Sequence, residues 1–181
     1  MFQSCKRLCK LYNRQMRKII IVAHDIRSLH NVGSILRTAE GLGITKVYLT
    51  GYTPHPSYVG DQRLPHIGLR QTNKINKTAL GAEEMQDWEY RHDVGSVISE
   101  LKQDGYSVVA LEQGSNSTAL PDFKPSDKIA IILGREVEGL SEDILKLCDR
   151  MVEIPMSGQK ESFNVVEAAT MAMYQFRFSR V

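Results

Sequence analysis

The chain has 181 residues, 42% of them hydrophobic, enough for one substantial core with short additions and too few for two. No run approaches the roughly 18 consecutive apolar residues of a membrane-spanning helix, so a soluble protein is expected. Net charge is +2, from 23 basic and 21 acidic residues, but it is unevenly spread.

Residues 1–18 hold Lys6, Arg7, Lys10, Arg14, Arg17 and Lys18 with no acid, a local +6 that leaves the remainder of the chain at −4. Phe2, Cys5, Cys9, Tyr12 and Met16 alternate three and four apart, which predicts a helical basic arm with one apolar seam. Its opposite face suits RNA phosphate contact or is an ordinary solvated face; both readings stand. An organellar transit peptide ranks last, because the stretch has a single Ser. The three cysteines, Cys5, Cys9 and Cys148, are an odd number in a chain without a secretory apolar segment, so reduced thiols and a cytoplasmic setting are expected. Cys5 and Cys9 lack the further His or Cys ligands of a metal site, and no metal is expected.

From Lys18 onward, apolar runs and amphipathic stretches alternate as in an α/β domain with a mostly parallel sheet. Strands are predicted at 19–23, 46–50, 106–111, 129–133 and 151–154, with a shorter one around 88–91. Several are continuous β-branched runs, which implies cover by helices on both faces. Helices are predicted at 32–42, roughly 94–103, 141–148 and about 162–177. Asn31 is the expected cap of the first, with Val32, Ile35, Leu36, Ala39 and Leu42 as its buried stripe and Asn31, Ser34, Arg37 and Thr38 sharing the other side. The segment 51–68, with Pro54, Pro56, Pro65 and two His, reads as a long and therefore functional loop. The last helix is apolar on nearly every side, leaving a narrow polar stripe through Asn164 and Glu167, and such a helix at the end of a small domain predicts a homodimer.

Three segments carry chemistry. Asn31-Val32-Gly33-Ser34-Ile35-Leu36-Arg37 follows the first strand; Leu133-Gly134-Arg135-Glu136-Val137-Glu138-Gly139-Leu140 follows a buried strand; and Ile154-Pro155-Met156 runs through Ser162-Phe163-Asn164 into the last helix. The second and third lie where the carboxyl end of a strand meets a loop, the usual ligand position in open α/β sheets. Singly, each has a bland explanation as turn glycines, a helix start or a solvated side chain. Jointly, Asn and Arg six apart, Leu-Gly-x-Glu-x-x-Gly-Leu and Ser-x-Asn, in this order, resemble the three motifs of the SPOUT-class, TrmH-like RNA 2′-O-ribose methyltransferases. The resemblance runs from about Ile19 to Phe176 and includes Lys77-Thr78-Ala79-Leu80-Gly81-Ala82-Glu83.

That resemblance implies a deep carboxyl-terminal trefoil knot, a dimer, and S-adenosyl-L-methionine (SAM) held in the knot's loops. By matching position, the cofactor is expected against Leu111, Gly134, Ile154, Met156, Ser162 and Phe163, and Asn31, Arg37, Glu136, Ser162 and Asn164 match the polar residues of the family's active site. A guanidinium stays protonated at ordinary pH, so Arg37 is expected to grip a phosphate and stabilise developing alkoxide charge, not to act as a base. Asn31 is expected to orient it and Glu136 to fix Arg37 or the ribose. Val166 and Glu167 depart from the family's usual Ser-Leu-Asn-Val-Ser-Val-Ala, and Glu167 needs a partner if buried. No separate amino-terminal RNA-binding domain is expected, so substrate choice, with a lean to tRNA over rRNA, is assigned to the basic arm, the loop 51–68 and the dimer surface. A dinucleotide-binding enzyme is disfavoured because Gly41-Leu42-Gly43 follows a helix, with Lys46 where the last glycine belongs. A Rossmann-type methyltransferase suffers from the same absence, and the remaining alternative is a non-catalytic RNA-binding protein that keeps the fold and pocket.

Overall fold

The β-branched runs form one parallel sheet buried on both faces. A computed structural model describes residues 17–179, and its strands in chain order are β1 (Lys18–His24), β2 (Lys46–Thr50), β3 (Trp88–Arg91), β4 (Ser107–Leu111), β5 (Thr118–Ala119), β6 (Lys128–Leu133) and β7 (Arg150–Glu153). They lie side by side as β3-β2-β1-β6-β4-β7-β5, every neighbouring pair parallel. Successive side chains on a strand point to opposite faces, so the central strands β1, β4 and β6 each supply two cores. Ile19, Ile21, Val109, Ile129 and Ile131 join one, while Ile20, Val22, Val108, Ala130 and Ile132 join the other.

Six helices among the described residues cover these faces: α1 (Leu29–Gly41), α2 (Pro65–Ala79), α3 (Ala82–Met85), α4 (Val94–Gln103), α5 (Glu142–Leu147) and α6 (Val165–Phe178). The first core takes Val32, Ile35, Leu36 and Ala39 of α1 and Ala169, Ala172, Met173 and Phe176 of α6. The second takes Val94, Val97, Ile98 and Leu101 of α4. The Asp93 carboxylate caps α4 by accepting from the backbone N–H groups of Gly95 and Ser96.

Several expectations are corrected. The cap of α1 is Ser28, whose hydroxyl accepts from the Asn31 N–H at 3.3 Å; Asn31 thus sits inside the first turn with its side chain free for another partner. The segment 51–68 is not all loop, because Pro65 opens α2 at a position where its missing N–H is harmless. The rest of that loop is pinned: Arg63 donates to Asp61, Gln71 and the carbonyls of His55 and Pro56, and this guanidinium holds the Asp61 carboxyl down to about 2. Arg17, assigned to the phosphate-facing row, is turned inward instead. It donates to the carbonyls of Phe176 and Ser179 at 2.9 Å and its own carbonyl accepts from Arg177 at 2.7 Å. Lys18 opens β1, and the rest of the expected basic arm lies outside the described residues. Finally, α6 buries one side only: Tyr174 and Phe178 are exposed, and so is Glu167, which needs no buried partner. No helix among the described residues is long and apolar enough to cross a membrane.

Candidate functional site

The carboxyl ends of β4, β6 and β7 lie next to one another in the sheet, and the loops leaving them enclose a cavity of about 290 Å³. After β6 the chain turns back on itself: Arg135 and Gly139 exchange backbone hydrogen bonds at 3.3 and 3.2 Å. This tight loop forces glycine at its base, since a Cβ on Gly134 would stand 2.7 Å from the Gly139 carbonyl carbon and 2.8 Å from the Leu140 nitrogen. Glu112, one residue beyond β4, ties the loop down by accepting from the Leu140 N–H at 3.0 Å. Gln113 donates to the Glu161 carbonyl at 2.8 Å, which draws the segment before α6 over the same cavity.

Of the residues expected at a cofactor, Leu111, Gly134, Ile154, Ser162 and Phe163 line this cavity; Met156 is half-buried and is not among its walls. Glu136 also lines it and accepts from the Asn31 side-chain amide at 2.9 Å and from the Arg27 N–H at 3.4 Å. The first and second motifs therefore meet through one hydrogen bond. Asn164 is occupied elsewhere: its side chain accepts from the Val166 N–H at 2.8 Å and caps α6.

Arg37 is not brought to the cavity of its own chain. It lies on α1, six residues beyond Asn31, about 9 Å further along the axis and about 120° round it; both stand on the side away from the buried stripe, as expected, but only Asn31 reaches the cavity wall, through Glu136. The Arg37 side chain is exposed and makes no hydrogen bond or ion pair among the described residues.

Several groups at the site went unnoticed in the sequence. Asp25, at the end of β1, is buried with φ +56°, a conformation uncommon for a residue with a Cβ. It accepts from the Tyr52 N–H at 2.8 Å and from two guanidinium nitrogens of Arg135 at 2.8 and 3.1 Å. Burial pushes the Asp25 carboxyl up, but the Tyr52 N–H and the Arg135 guanidinium outweigh it and hold the group below its ordinary value. Burial lowers the neighbouring His24, against the pull of the Asp25 carboxylate. The Asp25–Arg135 pair anchors the loop after β6 to the end of β1. A signal was available in both cases, because Glu112 and Asp25 immediately follow strands at their carboxyl ends.

The walls carry a chemical preference. Glu112, Glu136, Glu138, Glu153 and Glu161 face the cavity, and Arg135 is the one Lys or Arg among its lining residues; Arg135 is paired with Asp25, and of the five only Glu138 has an ion-pair partner among the described residues, Arg27. Apolar side chains of Leu111, Leu133, Val152, Ile154, Phe163 and Val165 supply the rest. Such a recess disfavours an anionic ligand and suits a cation attached to an apolar body. Among the described residues, no three of His, Cys, Asp and Glu converge as metal ligands.

Residues 18–174 match the profile of the SpoU rRNA methylase family. The chain is 28% identical over 169 residues to a tRNA (guanosine(18)-2′-O)-methyltransferase of Borreliella burgdorferi, covering 93% of this chain and 70% of that protein. It is 22% identical over 174 residues to the enzyme of the same name from Escherichia coli K12, covering 96% and 69%. The crystal structure of an AdoMet-bound rRNA methyltransferase from Sinorhizobium meliloti superposes with a TM-score of 0.73 at 19% identity, over 90% of this chain and 56% of that one. This chain thus spans about 70% of the length of the two curated relatives and little more than half of the crystallised protein.

Proposed function

This chain belongs to the SpoU rRNA methylase family, and on that premise we propose that it transfers a methyl group from SAM to a ribose 2′-hydroxyl of RNA, with tRNA the favoured class. The observation that carries this reading is the acidic, apolar-walled recess at three adjacent strand ends, whose Glu136 is hydrogen-bonded to the helix that bears Arg37. A sulfonium with an attached adenosine matches that recess in charge and in its need for apolar walls. Leu111, Gly134, Ile154, Ser162 and Phe163 are the residues we assign to hold it.

SAM, when bound, supplies a methyl group that is already a good electrophile. What remains for the protein is to align the hydroxyl oxygen and to assist departure of its proton, and alignment contributes much of the rate in such a reaction. We assign Arg37 to a bidentate grip on the phosphate beside the reactive ribose, where its fixed charge stabilises the developing alkoxide; the proton passes to phosphate or solvent. Asn31 and Glu136 hold one another and set the position of α1 against the recess. Ser162 stands at the wall, and Asn164 fixes the start of α6.

Because Arg37 is remote from the recess of its own chain, we propose that it serves the recess of a second copy, in a homodimer built on α6. Support comes from the exposed rings of Tyr174 and Phe178, whose centroids are 4.8 Å apart. Beside them lies an apolar groove between Leu120, Pro121, Met171 and Tyr174. We also take the segment 134–164 to be threaded as a trefoil knot; the insertion of β6 between β1 and β4 and of β7 between β4 and β5, all earlier in the chain, is compatible with it. An RNA substrate and an odd number of cysteines fit a cytoplasmic setting.

The test is transfer itself. Incubated with methyl-labelled SAM and, in separate arms, total tRNA and total rRNA, the full chain is expected to place label in acid-precipitable RNA. SAM binding without any labelled RNA would instead favour the binding-module reading.

A further inference from the structure

Helix α2 plays no part in the recess, and nothing in the folding of the domain accounts for its charge. His66, Arg70, Lys74 and Lys77 stand at i, i+4, i+8 and i+11, a row about 16 Å long. The helix contains no acidic residue, although the chain beyond residue 18 carries net −4. His66, Arg70 and Lys77 are exposed and Lys74 is half-buried. Among the described residues, none of the four has a hydrogen bond or an ion pair. Several other surface cations are neutralised: Lys46 and Arg91 by Glu89, Lys102 by Asp149, Lys146 by Glu142 and Asp143, and Arg27 by Glu138; Lys124 and Arg150 are unpaired among the described residues but stand singly, not in a row. Like charges one turn apart repel, so the bare row on α2 opposes folding slightly and calls for an external anion.

The row is also held in register with the site. Gly33 of α1 lies so close to α2 that a Cβ there would stand 2.3 Å from the Ile75 carbonyl oxygen. The Thr78 hydroxyl donates to the His30 carbonyl at 2.9 Å. These contacts set the Lys77 end of the row beside the first turns of α1, where Asn31 meets Glu136. His30 and Arg37, three residues before and four after Gly33, lie on the flank of α1 that meets α2; both are exposed and their side chains unpaired among the described residues. Cations thus run from α2 across to Arg37 without an intervening ion pair.

We propose that the outer row of α2 is a phosphate track that binds the backbone of the RNA substrate and leads it to Arg37. This rests on the RNA methyltransferase reading above. An extended polyanion fits a row of this length and sign, because several successive phosphates can be contacted at once with release of their counterions.

The experiment is a salt titration of RNA binding to the full chain, with total tRNA and total rRNA as separate probes and SAM binding measured alongside. In the variant R70Q/K74Q/K77Q, RNA affinity at low salt is expected to fall roughly tenfold, and the slope of log K against log salt to shrink by about 2, near 0.7 for each lost contact to a single strand. SAM affinity is expected to stay at the wild-type value and the melting temperature to stay level or rise slightly, since like-charge repulsion along α2 is relieved. The control K124Q/R150Q, which removes two unpaired cations elsewhere, is expected to leave the slope unchanged. The track is overturned if the triple variant keeps the wild-type affinity and slope, or if the control loses as much. Should that happen while wild type still methylates RNA, the enzyme reading survives without it; a wild type that neither binds nor methylates RNA removes both.

Discussion

Replacing Arg37 with alanine is expected to lower kcat for RNA methylation on the order of 100- to 1,000-fold, the usual consequence of losing a donor aimed at developing negative charge. SAM affinity is expected to stay within about twofold, because Arg37 is assigned to the RNA phosphate and is not among the residues that hold the cofactor. Stability is expected to stay within about 0.5 kcal/mol, since the side chain is exposed and unpartnered among the described residues and alanine is a better helix former. The lysine variant separates charge from geometry. It keeps the cation but loses the planar fork, so activity between wild type and the alanine variant is expected. Single-turnover kinetics and SAM titration check both. Full activity in Arg37→Ala, or loss of SAM binding, contradicts the role assigned here.

Gly134→Ala has the second large effect. The added methyl meets the backbone of Gly139 and Leu140 at 2.7–2.8 Å, distances that Cβ atoms essentially never adopt, and backbone cannot swing aside as a flexible side chain can. The loop 134–140 must open, at an overpacking penalty of about 1–3 kcal/mol. Opening displaces Glu136 from Asn31 and Leu140 from Glu112, the two contacts that fix the loop to α1 and to the end of β4. SAM affinity is therefore expected to drop at least tenfold, equivalent to about 1.4 kcal/mol. Calorimetric titration with a parallel thermal melt checks this; unaltered affinity would mean that the loop's closed form is not what binds the cofactor.

The strands were the most legible part of the chain. Runs such as Ile19-Ile20-Ile21-Val22 admit few other readings, and the sheet buries both faces of β1 as that pattern implies. Helix α2 was missed for a physical reason. Only Gly68, Ile75 and Ala79 of its fifteen residues are buried, so its apolar periodicity is faint, and Pro65, which in sequence reads as a loop residue, occupies the first helical position. The displaced cap of α1 has a similar origin: Ser28 and Asn31 are both good caps, and local sequence does not choose between them. Asn31 is drawn inward by Glu136, more than a hundred residues away.

Much of the candidate site followed from the three motifs, because the loops that carry Gly134, Glu136, Ile154 and Ser162 leave β6 and β7, the strands on either side of β4. What the motifs could not convey was which groups meet within one chain. Arg37 and Asn31 share the unburied side of one helix, and only the long-range contact of Asn31 with Glu136 shows which of them the recess of the same chain takes. The inward turn of Arg17 onto the carbonyls of Phe176 and Ser179 was equally invisible, since a basic residue among other basic residues gives no sign of burial. The Asp25–Arg135 pair joins two strand ends that only the order of the sheet makes adjacent.

The central claim is that the oxygen methylated is a ribose 2′-hydroxyl. RNA modified by the purified chain, digested to nucleosides and resolved by mass spectrometry, should yield a nucleoside whose added 14 mass units stay with the sugar on fragmentation; a methyl that follows the base would contradict the account.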